Sequence, residues 1–336
     1  MPAPVAAPLS AGLPAARSTP RGAGTAASGA IPVLYVAGMP RSGSTLLDLM
    51  LGQLPGHCDV GELFYMWQAG PLRDQRCGCG EVFSACPFWT EVGRVAFGGW
   101  DRVDVREVLQ LQASVDKTVY LPLILAARLF PSYQRRLDQY MALLTTLYAA
   151  IRQVSGATVV IDSTKRPSLA YILRRTPGVD LALVHIVRDP RGVVTSWSRE
   201  VALPEGAGPR SHLRRQSPVL ISRRWLTVNA MIGMLERLGV PRVLLRYEDL
   251  VRRPSDELRR VARLHGDALR ADDLDFLSTE GLHLSSSHTV AGGRVRFQTG
   301  VVPLRTDERW RTEMPARQRR FVEVVTWPLR RRYGYR

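Results

Sequence analysis

The sequence predicts an α/β fold in which helices flank a parallel β-sheet, with a helical, cysteine-containing insertion. A strand-like segment at 33–37 leads through a glycine-containing turn into a helical pattern at 44–54. Further apolar strand-like segments alternate with helical ones, which is typical of parallel sheets with right-handed crossovers. Each of these segments ends in polar residues, and ligands of such folds bind beyond the carboxyl ends of the strands.

The predicted strand, turn and helix at 33–54 are the strongest evidence for this fold class. Residues 33–37 read VLYVA, an apolar run rich in β-branched and aromatic residues that is typical of a buried strand. Residues 38–43 supply the small residues of a sharp turn, and leucines recur at helical spacing from residue 44 onward. A strand, a glycine loop and a helix together direct unpaired backbone N–H groups at an anion.

The remaining elements follow the same reading. Strands are predicted at 158–161, 181–187 and 242–246. Helices are predicted at 103–130, 132–154, 168–175, 193–200, 222–238 and 255–265, with a basic helix near the C-terminus. The pattern at 69–101 indicates an ordered loop or lid, and 203–218 indicates a mobile loop.

Length and composition indicate one large domain. The chain has 336 residues and 45% hydrophobic residues, enough to bury a substantial core at 31–330, with 69–154 as the insertion. The net charge of +16 fits a polyanionic nucleotide or an acidic acceptor. Because Lys117 and Lys165 are the only lysines, much of this charge reflects an arginine-rich composition. We therefore do not expect a nucleic-acid partner.

The N-terminal residues 1–30 are rich in alanine, proline, glycine and serine, and predict a disordered tail. We find no apolar stretch long enough for a signal peptide or a membrane span. A cytoplasmic, bacterial protein is the expectation, with an organellar transit peptide as the alternative.

The turn at 38–45 is similar to a nucleotide-triphosphatase P-loop in part only. Gly38, Gly43 and Thr45 match the two glycines and the magnesium-binding hydroxyl. Ser44 stands at the lysine position, and the cation is instead Arg41 inside the loop. An ATPase without that lysine lacks its grip on the transferring phosphoryl group.

The pattern GMPRSGSTLL resembles the 5′-phosphosulfate loop of sulfotransferases that use 3′-phosphoadenosine 5′-phosphosulfate (PAPS), especially the bacterial and tyrosylprotein branches. The resemblance implies a P-loop NTPase-like fold with PAPS as co-substrate. It also implies that the 5′-phosphosulfate is held by Arg41, Ser42, Gly43, Ser44, Thr45 and Leu46.

A second motif resembles the family's 3′-phosphate site, an arginine at a strand end followed eight residues later by a serine. Arg188 and Ser196 have that spacing. Arg188 can grip a phosphate with two N–H groups, and Ser196 can donate from the following helix. The alternative for Arg188 is a salt bridge with Asp189 or a neighbouring glutamate.

Two further segments resemble parts of the same family. The sequence YEDL follows a predicted strand, and the resemblance places Tyr247 near the nucleotide. The segment HTVAGGRVRF resembles one that closes over the nucleotide. Arg294 and Arg296 are therefore candidates for contacts with the 3′-phosphate or adenine, with a solvated basic loop as the alternative.

Glu62 is the candidate general base, because it lies twenty-one residues after Arg41, the separation seen in tyrosylprotein sulfotransferases. His57 is a rival of lower rank. Arg41 and Lys165 are expected to stabilise charge on the sulfuryl group and leaving phosphate. The spacing between Lys165 and Arg188 departs from that of the tyrosylprotein branch by a few residues, which leaves open whether Lys165 or Ser163 assists the transfer. Catalysis is expected to need no metal.

The cysteines leave three interpretations open. Cys77, Cys79 and Cys86 have a spacing that could bind zinc, with Cys58 as a candidate fourth ligand. The alternatives are a disulfide and a loop of reduced thiols that contributes only packing.

The function predicted is sulfuryl transfer from PAPS to a hydroxyl or amine, with 3′,5′-adenosine diphosphate (PAP) as product. The acceptor is a small molecule or a glycan; a phenol, a sugar and a lipid head group all fit, and no oligomeric state is indicated. The alternatives are a P-loop nucleotide kinase or NTPase, a basic nucleic-acid-binding protein with a degenerate nucleotide fold, and an inactive relative.

Overall fold

A computed structural model describes residues 29–199, 201–202, 212–213 and 215–336. Its strands are β1 (Ile31–Ala37), β2 (His57–Asp59), β3 (Val159–Lys165), β4 (Val179–Val187), β5 (Val201–Ala202), β6 (His212–Leu213), β7 (Arg242–Arg246), β8 (Leu282–Leu284) and β9 (Gly300–Val302). Five of them form one parallel sheet in the order β2-β3-β1-β4-β7. The predicted fold class is confirmed.

Helices cover both faces of this sheet. They are α1 (Ser44–Gly52), α2 (Met66–Ala69), α3 (Pro87–Phe97), α4 (Val105–Val115), α5 (Leu121–Leu125), α6 (Pro131–Ser155), α7 (Pro167–Leu173), α8 (Pro190–Trp197), α9 (Pro218–Arg237), α10 (Tyr247–Arg252), α11 (Pro254–Ala262), α12 (Trp310–Glu313) and α13 (Ala316–Arg332). Alternate residues of β1 enter opposite cores: Val33 and Tyr35 lie in one, Leu34 and Val36 in the other.

The structure differs from the predicted elements in several places, one of which is the predicted helix 103–130, divided here into α4 and α5. The edge strand β2 was missed because its three residues carry too short a pattern. Strand β3 continues through Lys165, so the polar residues that follow 158–161 belong to the strand. The helix α3 lies within 69–101, where only a loop was predicted.

Two predicted segments lie partly or wholly outside the described residues. The N-terminal tail is one, up to residue 28. The predicted loop at 203–218 is the other, since residues 203–211 and 214 are not described. Within the described part of the chain, no helix combines the length and the apolar character that crossing a membrane requires.

The surroundings of His185 on β4 lead to a testable prediction about the stability of the fold. Its ring is fully buried, with Nε2 2.9 Å from Oδ1 of Asn229 and Nδ1 3.1 Å from a guanidinium nitrogen of Arg242. The arginine donates to Nδ1, so Nε2 carries the proton of a neutral ring. Burial lowers the pKa of His185 to about 4.

We expect this histidine to weaken folding in acid. The unfolded chain takes up a proton below the ordinary histidine pKa of about 6.5, whereas the folded ring stays neutral down to about pH 4. Between pH 7 and pH 5 this costs about 2 kcal/mol of the free energy of unfolding. In urea unfolding, the His185→Gln variant should lose less free energy of unfolding between pH 7 and pH 5 than the wild type does. An equal loss in both proteins would contradict the lowered pKa of His185.

Candidate active site

Five of the candidate residues lie at the carboxyl edge of the sheet. Arg41 follows β1, Glu62 follows β2, Lys165 ends β3, Arg188 follows β4 and Tyr247 follows β7. Because the strand order is β2-β3-β1-β4-β7, the side chains are arranged across the edge as Glu62, Lys165, Arg41, Arg188 and Tyr247. The fold thus brings together residues separated by up to about two hundred positions in the chain.

The loop before α1 presents unpaired donors. Among the described residues, no acceptor pairs with the backbone N–H groups of residues 42–46, and the first helical bond runs from the N–H of Leu47 to the carbonyl of Gly43 at 3.0 Å. The hydroxyl of Ser42 is buried and has no partner among the same residues. These donors can surround an anion at the helix N-terminus.

Gly43 is required by its neighbours. Its φ of 89° lies in the left-handed region, and a Cβ added there would lie 2.5 Å from the ring of Tyr247. The tyrosine after β7 therefore packs directly against the loop after β1. Its hydroxyl donates to the carbonyl of Arg305 at 3.3 Å.

Arg41 also adopts a positive φ, 76°. Its guanidinium carbon lies 5.4 Å from the ring centre of Trp197, whose indole N–H donates to the carbonyl of Pro40 at 3.4 Å. The end of α8 thereby holds the arginine-bearing loop. No role was predicted for Trp197, although it lies next to Ser196 in the second motif.

Arg188 lies beside the same loop, and the space at this edge of the sheet between residues 41–46, Arg188 and Glu62 is called the crevice. One guanidinium nitrogen donates to the carbonyl of Arg41 at 3.2 Å, and the group lies 4.7 Å from the ring centre of Tyr247. A Cβ at Gly192 would lie 3.0 Å from Nε of Arg188, so the glycine lets the arginine lie along the first turn of α8. Ser196 is one helical turn beyond Gly192 on the same face.

The partner of Arg188 is a residue that sequence reasoning missed. Arg188 pairs with the carboxylate of Asp307 at 3.0 Å and donates to the backbone carbonyl of the same residue. Arg309 and Arg188 hold the pKa of Asp307 well below its ordinary value. The expected alternative partner, Asp189, pairs instead with Arg191 at 2.6 Å. No local motif marks Asp307.

Glu62 and Lys165 form an ion pair at the other end of the crevice. Oε1 of Glu62 lies 2.7 Å from Nζ of Lys165, and the side chains are 17% and 8% exposed. Lys165 has a φ of 70°, and its Nζ also donates to the carbonyl of Ser163 at 2.8 Å. The lysine, and not the buried Ser163 hydroxyl, is the group that contacts the glutamate.

Polar residues inside β3 position the turn that carries Glu62. The buried carboxylate of Asp162 accepts from the backbone N–H of Leu63 at 3.4 Å, and the hydroxyl of Thr164 accepts from that of Phe64 at 3.1 Å. Burial raises the pKa of Asp162, while the hydroxyl of Tyr148 donates to it at 2.6 Å. Four consecutive polar residues, 162–165, in a fully buried strand are the signal that points to this role.

Three other candidates have different surroundings. His57 lies at the start of β2, at the opposite end of that strand from Glu62, with a buried side chain 3.8 Å from Asp267. The rival base His57 therefore lies away from the edge of the sheet that carries Glu62. Arg296 is also buried, not solvated, and donates to the carbonyls of Thr289 and Arg76. Arg294 lies in a short 3₁₀ helix after Gly293.

The segment containing these arginines approaches the site. The carbonyl of Ala291 accepts from the backbone N–H of Glu62 at 3.3 Å. A Cβ added at Gly292 would lie 3.5 Å from Oε1 of Glu62, and one at Gly293 would lie 3.9 Å from the hydroxyl of Thr45. The two glycines thus lie between the candidate base and the anion loop.

Comparison with known proteins identifies the family and the fold of the chain. Residues 32–268 match the model of a sulfotransferase family. No curated protein sequence matches the chain. Among solved structures, the chain is similar to the sulfotransferase domain of the olefin synthase of Synechococcus PCC 7002, with 22% identity, a TM-score of 0.52 and coverage of 91% of this chain and 95% of that one.

The sulfotransferase domain from the curacin biosynthetic pathway is also similar. It has 16% identity and a TM-score of 0.50, with coverage of 91% of this chain and 98% of that one. At these identities the likeness concerns the fold, and the fold is the parallel sheet described above.

Proposed function

The chain belongs to a sulfotransferase family. We propose that it transfers the sulfuryl group of PAPS in line to a hydroxyl or amine acceptor. One observation carries the proposal. The guanidinium of Arg188 lies 3.2 Å from the carbonyl of Arg41, so the two predicted anion-binding motifs line one crevice. A nucleotide with charge at both its 5′ and 3′ positions needs two such groups side by side.

The residues present fit PAPS in this crevice. Unpaired N–H groups of residues 42–46 and the buried Ser42 hydroxyl would hold the 5′-phosphosulfate. Arg188 would grip the 3′-phosphate with two N–H groups, assisted by Ser196 from the next turn of α8. PAPS supplies an activated sulfuryl group, and PAP is the product.

The 3′-phosphate would compete with a carboxylate of the protein for Arg188. The carboxylate of Asp307 lies 3.0 Å from the Arg188 guanidinium, as an anionic oxygen of the nucleotide would. In our proposal the 3′-phosphate replaces this carboxylate on Arg188, and Asp307 keeps Arg309 as its partner at 2.7 Å.

Proton transfer and charge stabilisation are assigned to Glu62 and Lys165, which lie at the carboxyl edge of the sheet on the side away from Arg188. Glu62 accepts the proton of the acceptor hydroxyl or amine, and Lys165, which orients that carboxylate, stabilises charge on the transferring group. Arg41, in the loop after the adjacent strand β1, stabilises charge on the leaving phosphate. The acceptor, a small molecule or a glycan, would enter beside Glu62.

The alternatives lose support at specific residues. Ser44 replaces the lysine that a P-loop kinase or NTPase needs, and the family match does not favour either of these enzymes or a nucleic-acid-binding protein. In the proposed site, arginine and lysine side chains stabilise the charge that magnesium stabilises in P-loop kinases and NTPases.

Calorimetric titration tests the nucleotide assignment directly. We expect PAP to bind at least about tenfold more tightly than ADP, because only PAP offers a 3′-phosphate to Arg188. Added magnesium should leave the affinity for PAP unchanged. Equal affinities for PAP and ADP, or magnesium-dependent turnover of ATP, would contradict the proposal.

A further inference from the structure

Three thiols and one imidazole converge outside the nucleotide crevice. Their ligand atoms, from Cys77, Cys79, Cys86 and His288, all lie within 4.8 Å of one another. The Sγ atoms of Cys79 and Cys86 are 3.7 Å apart, and Nδ1 of His288 lies 3.7 Å from Sγ of Cys77 and 3.4 Å from Sγ of Cys86.

These separations match a tetrahedral metal site. Zinc–sulfur bonds of about 2.3 Å and a zinc–nitrogen bond of about 2.0 Å place sulfurs about 3.8 Å from each other and about 3.5 Å from nitrogen. A disulfide requires an S–S distance of about 2.0 Å, and all four cysteines of the described chain are free thiols. A disulfide would also leave a third thiol and the imidazole without a function.

The surroundings of the histidine direct it at the thiols. The His288 ring stacks on Phe88 with centres 4.8 Å apart and an angle of 12°, and the indole N–H of Trp89 donates to the His288 carbonyl at 2.9 Å. Phe88 and Trp89 belong to α3, which begins directly after Cys86. The same helix start therefore supplies one ligand and orients another.

We propose that these four residues bind a structural zinc ion. Three cysteines and one histidine complete a tetrahedral coordination shell, which leaves no open position for a substrate or a water. Cys77 and Cys86 are fully buried, as a structural site requires. Cys58, the fourth ligand considered from the sequence, lies on β2 and is not part of the group, so that expectation was wrong.

The ion would tie together two segments that are distant in sequence. Cys77, Cys79 and Cys86 come from the insertion, whereas His288 begins the segment that reaches the active site. This segment is also held by the N–H of Gly78, which donates to the carbonyl of Thr289 at 2.9 Å. Zinc binding would thus fix the chain whose Ala291 carbonyl contacts Glu62.

The test is zinc content, measured by mass spectrometry on full-length protein purified without chelators or metal-affinity resin. We expect about one zinc per chain in the wild type. The Cys86→Ser and His288→Asn variants should lose it, whereas the matched Cys58→Ser variant should retain it. A zinc-free wild type, or variants of Cys86 and His288 that both keep their zinc, would overturn the proposal.

A second measurement covers variants that fail to fold. Wild-type protein exchanged with cobalt should show a thiolate-to-cobalt charge-transfer band and the visible absorption of tetrahedral cobalt. A disulfide among the three cysteines, found by mass mapping of the purified protein, or a spectrum of octahedral cobalt would overturn the assignment. Neither measurement depends on sulfotransferase activity.

Discussion

The Glu62→Gln variant is expected to lose about 10²- to 10⁴-fold in kcat, the usual contribution of a general base. Glutamine keeps the size of the side chain but cannot accept the acceptor's proton. The N–H of Glu62 bonded to Ala291 and the turn pinned by Asp162 remain, so the site should keep its shape. PAP affinity should therefore change less than about threefold, since the nucleotide is held from other strands.

The measurement is PAP release from PAPS with the best acceptor from a panel of phenols, sugars and amines. Glu91→Gln serves as the matched control, because Glu91 pairs with Arg94 on the surface of α3 and its loss should leave kcat unchanged. If Glu62→Gln retained the wild-type kcat, Glu62 would not be the base. An inactive wild type that still binds PAP would indicate an inactive relative of the family.

The Arg188→Ala variant is expected to bind PAP about 10- to 100-fold more weakly, which corresponds to losing about 1.5–3 kcal/mol of charge-assisted hydrogen bonding. The affinity for ADP should stay close to the wild-type value, because ADP lacks the phosphate that Arg188 would hold. The variant should thus lose its preference for PAP over ADP, as measured by calorimetry.

Two further variants separate phosphate binding from general loss of positive charge. Arg311→Ala removes an exposed arginine that pairs with Glu308, and it should leave both affinities unchanged. Asp307→Asn removes the carboxylate that competes for Arg188, so it should tighten PAP binding. A preference for PAP that persists in Arg188→Ala would assign the 3′-phosphate to another residue.

The elements with strong local patterns were predictable, and the exceptions have physical causes. The strand, loop and helix around Arg41 were predicted within about two residues, because a buried strand, small turn residues and leucines at helical spacing are all local. The strand β2 was not, since three residues cannot show a period. It forms only because β3 offers it an edge.

The candidate site was predicted in the same uneven way. Arg41, Arg188 and Tyr247 each follow a predicted strand, so a parallel sheet already implied that they share an edge. The roles of Asp307 and Trp197 could not be predicted, and the resemblance of residues 288–297 to a segment that closes over the nucleotide did not predict that residues 291–293 contact Glu62. All of these are contacts between segments that no local pattern connects.

The sequence by itself determined the family, the parallel sheet and the strand–loop–helix unit around Arg41, because these rest on short patterns that are local in the chain. Only the tertiary structure decided the order of the side chains along the edge. In the chain Arg41 comes before Glu62, but in the sheet Lys165 lies between them, because β3 pairs with both β1 and β2. Tertiary packing also places His288 beside the thiols of the insertion, which the spacing of the cysteines does not predict.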